Sequence, residues 1–498
     1  ISTAGSNRSV KHSRTSPTSK AAATYVSTDT EPVIGNIVSR KGIYCDADCE
    51  SLALHDHGIF ANGAAAEAAG FRACLTCRPR LCGGPMVAEN APPTVESALI
   101  LIQEGFLHRR SEEALAVRLG CSRQHLRRAM TRHLGASPTQ IVRYRQAQFA
   151  RQLVTETALD PSAVARAVGL GGQPQLDRLA IAAWGQPVDN LRQKHKNQGL
   201  QSPSSSIELL ARYTPPYSFQ QLLNHLRPRA TPGLEDVTDT SYRRITHHEG
   251  NPRLIQVEDA QDGQHLRVKV HSEHYDDLID DMERFRTLFA IDENPSQAVG
   301  HLSNDSLVGE LVAQQPWVRV PRCWDRFETS IRIIVGQQIS VAAATTIAGR
   351  IVRRFGQQLS HESVLNRTFP SPDELAEADL SGLGFTKQRT NTLRQFAAAV
   401  TDGSLDLRVS GTIEEISLRW GALPGIGPWT AQVAAMRILQ HNDAMPSSDL
   451  GIRRSASRLA GAPIDARDLD NYSAAWRPFR SWASQHLWNA SQAVDPAR

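Results

Sequence analysis

Leu423-Pro424-Gly425-Ile426-Gly427, followed by Pro428 and Trp429-Thr430-Ala431, decides the fold of the second half of this 498-residue chain. The stretch follows an apolar stripe, Ile413, Ile416 and Trp420, whose spacing predicts a helix. Two glycines permit a tight turn whose backbone N–H groups point outward at the start of the next helix. Such a turn can hold a DNA phosphate without reading sequence, and a plain turn between helices is the alternative.

An aspartate completes the pattern. Asp449 lies 22 residues after Gly427, in Pro446-Ser447-Ser448-Asp449-Leu450-Gly451. By itself Asp449 is a good N-cap for a helix over 450–459. Hairpin and aspartate together resemble the helix-hairpin-helix DNA glycosylases, and most of residues 207–490 resembles the AlkA type, which acts on alkylated bases. Further matching segments are Tyr213-Thr214-Pro215-Pro216-Tyr217, Gly336-Gln337-Gln338-Ile339-Ser340-Val341, Trp476-Arg477-Pro478 and Trp488.

The resemblance implies a chemistry for Asp449. Cleavage of an N-glycosidic bond passes through an oxocarbenium-like sugar, which a carboxylate stabilises, and Asp449 would also orient the attacking water. The damaged base must leave the duplex to reach it. A methylated purine such as 3-methyladenine or 7-methylguanine is cationic and stacks well on indole faces. No cofactor is needed for this step.

The resemblance also assigns the other residues of this site. Trp429, Trp488 and Gln337 match positions of the base pocket, whereas two further aromatic positions of the family are Val433 and Asn489 here. The hairpin implies DNA contacts by Leu423, Gly425, Gly427 and Thr430, and Gln338 stands at the wedge position, where the family has leucine.

One position separates two classes of these enzymes. Bifunctional relatives carry a lysine two residues after the last hairpin glycine, and this lysine forms a Schiff base that nicks the strand. Here that residue is Trp429, and no lysine follows Lys387. Since the amine nucleophile is missing, we predict a monofunctional enzyme that leaves an abasic site.

Paired cysteines mark the beginning of the chain. Cys45-x3-Cys49 and Cys74-x2-Cys77 have the spacing of a four-thiolate zinc site, and a purely structural zinc knuckle is one interpretation. With Gly42-Ile43-Tyr44 and the segment 65–79, the cysteines resemble the metal-binding domain of Ada-type methylation-response proteins. That resemblance implies one Zn²⁺ on the four thiolates, with Cys45 accepting a methyl group from a DNA phosphotriester.

The loop between the first two cysteines departs from this family. The family carries Arg-Pro-Ser there, whereas this chain has Asp46-Ala47-Asp48, and two acids beside the acceptor oppose the approach of a phosphate. Arg72 is a candidate for contact with the DNA backbone. We interpret Cys82, Cys121 and Cys323 as ordinary thiols.

An arginine-rich stretch follows the cysteines. Residues 109–151 hold ten arginines, no lysine and two acids. Residues 112–128 indicate helix, glycine turn and second helix, with Ser122 as the N-cap and Arg123, Arg127 and Arg128 placed for a major groove. A solvated basic face is the alternative. The run Leu134-Gly135-Ala136-Ser137-Pro138 makes the region similar to AraC-type regulators.

The second helix-turn-helix unit, 161–192, matches that family poorly. Gly171, Gly172 and Pro174 stand where the family begins its second recognition helix, and they predict a weakened or shifted helix. We therefore expect DNA binding by the first unit and leave operator reading by the second unit open.

Charge and composition limit the functions and partners that this chain can have. The first 200 residues hold 24 Lys and Arg against 16 Asp and Glu, and the remainder holds 31 against 35, so the basic part is the one suited to an anionic partner. No apolar run approaches the length of a membrane helix. We predict a cytoplasmic, nucleoid-associated monomer whose partners are duplex and alkylated DNA and, through the regulator resemblance, RNA polymerase.

The predicted fold is multidomain and mainly α. We expect a disordered tail (1–30), a small zinc domain built on four cysteines (31–85), an AraC-type helix-turn-helix domain (88–196), a flexible linker (197–206), an α+β domain of AlkA type (207–290) and an all-α helix-hairpin-helix domain (291–498). Alternatives to a fused regulator and glycosylase are a regulator with a silent glycosylase module and a glycosylase whose front half only anchors DNA.

Overall fold

The computed structural model describes residues 37–40, 43–46, 58–60, 62–74, 91–195, 206–248, 250–359 and 364–492. The predicted tail and, except for Ser206, the predicted linker lie outside these residues. Helices dominate, and two sheets lie in separate parts of the chain. The multidomain, mainly α prediction is therefore confirmed.

The first sheet carries two of the paired cysteines. Its strands are β1 (Ile37–Arg40), β2 (Ile43–Asp46), β3 (Gly58–Phe60) and β4 (Arg72–Ala73), in the order β3-β1-β2-β4. β2 and β4 are parallel, with Tyr44 opposite Ala73. Helix α1 (Gly63–Ala68) is capped by Asn62, whose side chain accepts a hydrogen bond from the Ala65 N–H.

Seven helices follow and form the helix-turn-helix domain: α2 (Pro93–Gln103), α3 (Glu112–Arg118), α4 (Arg123–Leu134), α5 (Pro138–Glu156), α6 (Pro161–Ala167), α7 (Gln173–Trp184) and α8 (Val188–His195). The helix caps are residue types that favour these positions. Ser111 and Ser122 begin α3 and α4 as side-chain N-caps, and Gly135 ends α4 in the left-handed conformation. The N-cap predicted at Ser122 is confirmed.

A five-stranded antiparallel sheet opens the second half. Its strands are β5 (Ser206–Arg212), β6 (Glu235–Val237), β7 (Ser241–His248), β8 (Asn251–Asp259) and β9 (His265–His271), in the order β5-β9-β8-β7-β6. Helices α9 (Phe219–Leu226) and α10 (Leu278–Leu288) accompany it. Leu266, Val268 and Val270 of β9 alternate inward, which confirms the strand predicted from their spacing.

The remaining described chain is helical. It contains α11 (Ser296–Leu302), α12 (Gly309–Gln314), α13 (Arg326–Val335), α14 (Val341–Phe355), α15 (Pro372–Glu377), α16 (Lys387–Thr401), α17 (Ile413–Gly421), α18 (Pro428–Arg437), α19 (Leu450–Ala460), α20 (Ala466–Ser473) and α21 (Arg480–Gln492). One core holds these helices together, with Trp420 and Trp476 among its largest buried side chains.

The two halves of the chain share their cores. Leu153 and Leu176 of the helix-turn-helix domain belong to the same buried cluster as Leu209 and Val268 of the second sheet. Ile100 of α2 is buried in the core of the last helices. Apolar side chains from both sides of residue 200 therefore exclude water together. The flexible linker over 197–206 stays a prediction, because the structure describes only Ser206 of it.

Within the described residues, no helix is both long enough and apolar enough to cross a membrane.

Candidate functional site

Asp449 is held by three donors at the beginning of α19. Its Oδ1 accepts hydrogen bonds from the Ile452 N–H at 3.0 Å and the Trp488 Nε1–H at 2.9 Å, and its Oδ2 accepts one from the Trp429 Nε1–H at 2.9 Å. An indole N–H only donates and a carboxylate oxygen accepts, so the two indoles fix the orientation of the carboxylate. Asp449 is therefore both the N-cap of α19 and a hydrogen-bond acceptor between the two tryptophans.

A buried arginine, Arg437, and a partly buried one, Arg229, lie around this carboxylate. The Arg437 guanidinium lies 5.0 Å from the centre of the Trp488 ring and donates to the Gln485 Oε1 at 2.8 Å. Burial, together with Arg229 and Arg322, lowers the pKa of Arg437, and the negative charge of Asp449 opposes that shift. The fixed charge of Asp449 is therefore balanced from inside the protein.

Arg229 is the second of these arginines. Burial and the Arg332 charge lower the pKa of Arg229 to about 10, again with Asp449 opposing. Arg229 donates to the backbone oxygen of His225 at 2.8 Å. Sequence reasoning missed both Arg229 and Arg437, because Arg229 is distant from Asp449 in the chain and an isolated arginine carries no pattern.

The hairpin joins α17 to α18 as its glycines predict. Gly425 has φ +81°, and a Cβ placed on it would lie 2.1 Å from the Thr392 hydroxyl oxygen, so glycine is required there. Pro424, Gly425 and Gly427 are exposed while Ile426 is buried, which leaves the turn open to a ligand. Gly427 is the N-cap of α18.

Gln337, two residues after the end of helix α13, fixes the hairpin. Its Nε2 donates to the Gly425 carbonyl at 3.0 Å and to the Thr430 hydroxyl at 2.9 Å, while Arg389 donates to the Gln337 carbonyl at 2.5 Å. The side-chain amide of Gln337, which was predicted to lie in the base pocket, therefore donates to the hairpin. Thr430 is only 2% exposed, so its hydroxyl serves the same internal contact and does not face DNA.

Beside it, Gln338 is exposed and has φ +58°, a conformation that non-glycine residues adopt rarely. Leu423 is partly buried in the core below the turn. Val433 is buried, and Asn489 accepts a hydrogen bond from Gln485 at 2.8 Å. We call Gly425, Gly427, Gln338 and Asp449 the hairpin surface.

The cysteines of the first sheet lie side by side. Cys45 is the third residue of β2 and Cys74 follows β4, and the Cys74 N–H donates to the Tyr44 carbonyl at 2.9 Å, which continues the parallel pairing. Both are buried, and Arg151 of α5 donates to the Cys74 carbonyl at 3.1 Å. Cys49 and Cys77 lie outside the described residues. Two neighbouring thiols at adjacent strand ends fit half of a zinc site.

The ordinary thiols behave as predicted where the structure describes them. Cys323 is buried, and burial raises the pKa of its thiol to about 11. Cys121 is partly buried, and burial raises its thiol pKa as well. Neither environment favours a thiolate. Cys82 lies outside the described residues.

The first helix-turn-helix presents its arginines to solvent. Arg123, Arg127 and Arg128 are exposed on α4, and we call them the α4 surface. Glu112 of α3 pairs with Arg123 at 3.3 Å and with Arg127 at 3.4 Å. The same carboxylate accepts hydrogen bonds from Thr139, so it is anchored at the beginning of α5. The α4 surface is therefore basic and partly neutralised at one edge.

The second unit forms its helix in full. Pro174 lies in the first turn of α7, where its missing N–H costs nothing, and Gly172 is the N-cap. The weakened or shifted helix predicted from these residues is therefore wrong. Its solvent face differs from that of α4, since Ile181 is 54% exposed there and Arg178 is the single exposed arginine of this helix. Arg72 is exposed, and its guanidinium lies against Gly185 at the end of α7.

Four family models match this chain in succession. They are the metal binding domain of Ada over residues 33–80, a helix-turn-helix domain over 115–194, the AlkA N-terminal domain over 207–325, and the HhH-GPD superfamily base excision DNA repair protein over 331–479. The probable bifunctional transcriptional activator/DNA repair enzyme AlkA of Mycobacterium tuberculosis is 34% identical over 456 residues, 91% of each chain. This chain belongs to the bifunctional AlkA family.

Other relatives cover the second half alone. DNA-3-methyladenine glycosylase 2 of Escherichia coli is 30% identical over 284 residues, which is 55% of this chain and 95% of that protein. The solved 3-methyladenine DNA-glycosylase from Archaeoglobus fulgidus shares the fold, with a TM-score of 0.50 and 18% identity over 58% of this chain and 99% of that one. The resemblances predicted from the sequence, both to the Ada and AraC types and to the AlkA type, are confirmed.

Proposed function

We propose that this member of the bifunctional AlkA family hydrolyses the N-glycosidic bond of alkylated purines in duplex DNA and leaves an abasic site. 3-Methyladenine and 7-methylguanine are the expected substrates. The observation that carries the proposal is the placement of Asp449 between Trp429 and Trp488, beside a hairpin whose glycines are exposed. The names of the relatives support the same chemistry.

Asp449 acts on the sugar. As the C1′–N bond breaks, its electron pair leaves with the base and positive charge develops on the sugar ring. The carboxylate stabilises that charge at a short distance, and water then adds to C1′ and loses a proton. Three hydrogen bonds fix the carboxylate before the substrate arrives, which removes the cost of reorienting it.

The indoles have two tasks. Their N–H groups orient Asp449, and their faces are suited to a cationic flipped base. Trp429 occupies the position at which bifunctional relatives carry their lysine, and the chain has no lysine after Lys387. Strand nicking through a Schiff base has no amine here, so we assign the chain to the monofunctional class.

The decisive experiment measures free methylated bases released from alkylated duplex DNA by wild type and by Asp449→Asn. We expect release by wild type without nicking and its collapse in the variant. Asp465→Asn is the matched control, because Asp465 is also a helix N-cap, for α20, and is remote from the indoles. Release that survives in Asp449→Asn would show that this carboxylate only caps its helix.

For the front half we propose a zinc site made by Cys45, Cys49, Cys74 and Cys77, with Cys45 as the methyl acceptor. Zinc would keep the thiolates ionised at neutral pH. The Cys45 sulfur attacks the methyl carbon of a phosphotriester, the carbon–oxygen bond breaks, and the phosphate leaves as a diester anion. The side-by-side placement of Cys45 and Cys74 supports this arrangement.

Methylphosphotriester DNA with a labelled methyl group tests this transfer. We expect one S-methylcysteine per chain at Cys45 by peptide mapping, and none in Cys45→Ala. Cys323→Ala is the control, since that thiol is buried and distant from the cluster in sequence. Zinc bound without methyl on Cys45 would favour the second candidate, a front half that only anchors DNA, as Asp46 and Asp48 beside the acceptor suggest.

The α4 surface would give the regulator its DNA contact. Its three arginines are exposed at the beginning of a helix that follows a glycine turn, which suits a major groove. RNA polymerase as a partner, action as a monomer and residence in the nucleoid belong to this proposal, and they rest on the name of the activator relative and on the sequence.

A further inference from the structure

Three helices of the last domain run between two opposite ends. α13 begins at Arg326 and leads to Gln337, which donates to the hairpin, and α17 leads from residue 412 to the same hairpin. α18 returns from the hairpin, and the Ile438 carbonyl just after it accepts a hydrogen bond from Arg326. The hairpin therefore lies at one end of this bundle, and Arg326 with Ile438 lies at the other.

The helix-turn-helix domain is fixed to the end away from the hairpin. The Glu104 carboxylate accepts hydrogen bonds from Arg326 at 2.7 Å and from Arg408. The Ser410 N–H donates to the Ser97 hydroxyl at 2.9 Å, just before α17 begins. The contacts of Arg326 and Ser410 are partly or fully buried, that of Arg408 is exposed, and together they join α2 to the back of the glycosylase fold.

Helix α2 is apolar on two faces, and the faces serve different domains. Ile100 packs into the core of the last helices, on the side that carries Ser97 and Glu104. Leu99 and Ile102 pack into the core of the helix-turn-helix domain, which also receives Leu126, Met130 and Leu134 of α4. The apolar stripe of α4 faces α2, and Arg128 lies on the opposite side of the helix, away from the bundle. Arg123 and Arg127 lie nearer the edge of the stripe, where they pair with Glu112 of α3.

We infer that the protein holds two duplex DNA segments at once, one on the hairpin surface and the other on the α4 surface. The 10 residues of α13 span about 15 Å, and packed helix axes add about 8–10 Å for α2 and α4. The surfaces lie at opposite ends of one shared core, and Arg128 faces away from α2, so one straight duplex does not lie against both surfaces. This inference rests on the DNA-binding roles proposed above.

In this arrangement the α4 surface keeps the glycosylase attached to DNA. A chain whose α4 surface stays on one segment can present its hairpin surface to a neighbouring segment, which raises the local concentration of DNA at the hairpin. No operator sequence is required, because phosphate contacts by arginine supply binding to any duplex. The partner is therefore a second stretch of double-stranded DNA.

A capture experiment tests the bridge. A short duplex with a stable abasic-site analogue is immobilised and loaded with the full-length protein, and a fluorescent undamaged duplex is then added. We expect one fluorescent duplex retained per chain. In R123A/R127A/R128A the protein stays on the immobilised duplex, and captured fluorescence falls on the order of tenfold. Arg353→Ala, an exposed arginine at the end of α14, is the matched control and keeps the capture.

Light scattering on the soluble complex gives its composition. One chain with two duplexes supports the inference. Two chains per complex, or a fluorescent duplex that displaces the immobilised one instead of joining it, would overturn it. Base release from alkylated DNA is measured separately on the same preparations. Release without capture would remove the bridge alone, whereas capture without release would remove the proposed glycosylase and leave the bridge.

Discussion

The hairpin surface and the α4 surface are built in opposite ways. Arg123, Arg127 and Arg128 all come from the first two turns of one helix. The hairpin surface combines residues 338, 425, 427 and 449, which three different segments supply and which Gln337 and two indoles hold in place. Charge on one helix suits binding, whereas chemistry on a sugar needs groups fixed from several sides.

The largest expected effect falls on the hairpin surface. Asp449→Asn keeps the helix cap but loses the charge that stabilises the oxocarbenium ion, so we expect the rate of base release to fall on the order of a hundredfold or more. Single-turnover release of 3-methyladenine measures it. Binding of abasic DNA by the same variant should change little. A variant that loses binding as strongly as release would contradict a purely chemical role.

Gly425→Ala should have the second largest effect. Its Cβ would lie 2.1 Å from the Thr392 hydroxyl oxygen at a φ of +81°, so the turn must shift. We expect about a tenfold loss of affinity for abasic DNA, since the turn presents its backbone to a phosphate. The control is Gly403→Ala, which also has positive φ but no neighbour within 4 Å of the added Cβ. Equal losses in both variants would remove the hairpin from DNA binding.

Trp429→Phe tests how much the fixed orientation of the Asp449 carboxylate contributes to base release. Phenylalanine keeps an aromatic face but removes the N–H that donates to the Asp449 Oδ2 at 2.9 Å. We expect base release to slow about tenfold, the cost of roughly one hydrogen bond to a charged group, with unchanged DNA binding. Trp317→Phe, a half-exposed tryptophan elsewhere, is the comparison. Full activity of Trp429→Phe would show that one indole suffices.

On the α4 surface a single change should be smaller. Arg128→Ala should reduce the slope of log affinity against log salt for undamaged duplex by about one, because one phosphate contact is lost. Arg178→Ala on α7 is its counterpart in the second unit. If α7 is not a DNA-reading helix, as its exposed Ile181 suggests, the slope of Arg178→Ala stays at the wild-type value. A change in Arg178→Ala alone would reverse the roles of the two units.

The smallest expected effect concerns the contact between the helix-turn-helix domain and the second half of the chain. Burial raises the pKa of Asp280 to about 7, and a Cβ on Gly105 of the helix-turn-helix domain would lie 2.4 Å from its carboxylate oxygen. The folded protein thus binds a proton that the unfolded chain has released, so this group lowers stability as pH rises from about 4 to about 7. His108, whose pKa burial lowers to about 4, acts with the opposite sign.

Asp280→Asn removes the carboxyl group together with its contact to the His108 Nδ1 at 3.6 Å, so the comparison with wild type reports on this pair. The unfolding temperature of the variant relative to wild type should rise by about 2 °C between pH 5 and pH 8. Thermal unfolding followed by circular dichroism measures the difference. Asp239→Asn, an exposed carboxylate, serves as control and should show no such trend. A constant difference across this range would mean that Asp280 titrates normally.

Much of the architecture was predictable because its signals are local. The glycines of the hairpin, the serine cap of α4 and the alternation in β9 are each decided within a few residues, and all three are found. Pro174 was misjudged for a related reason. A proline breaks a helix in its interior but is tolerated in the first turn, and the sequence did not show where that turn begins.

The composition of the active site was only partly predictable. Asp449, Trp429 and Trp488 stood out through the family pattern, but their hydrogen bonds to one another depend on how α18, α19 and α21 pack. Arg229 approaches the carboxylate from a different domain, and Arg437 approaches it from the end of α18. Thr430 belongs to the motif, yet packing turns its hydroxyl towards Gln337 and away from solvent.

The sequence by itself determined the order of the modules, the glycine hairpin with its aspartate Asp449, the paired cysteines and the arginines of α4. Each depends on residue type and short-range spacing, which the chain carries directly. Only the tertiary structure decided that the halves share their cores and that the hairpin surface and the α4 surface lie at opposite ends of them. Burial of Ile100 on one face of α2 and of Leu99 on the other fixes that relation, and such pairing follows from the free energy of excluding water across distant segments.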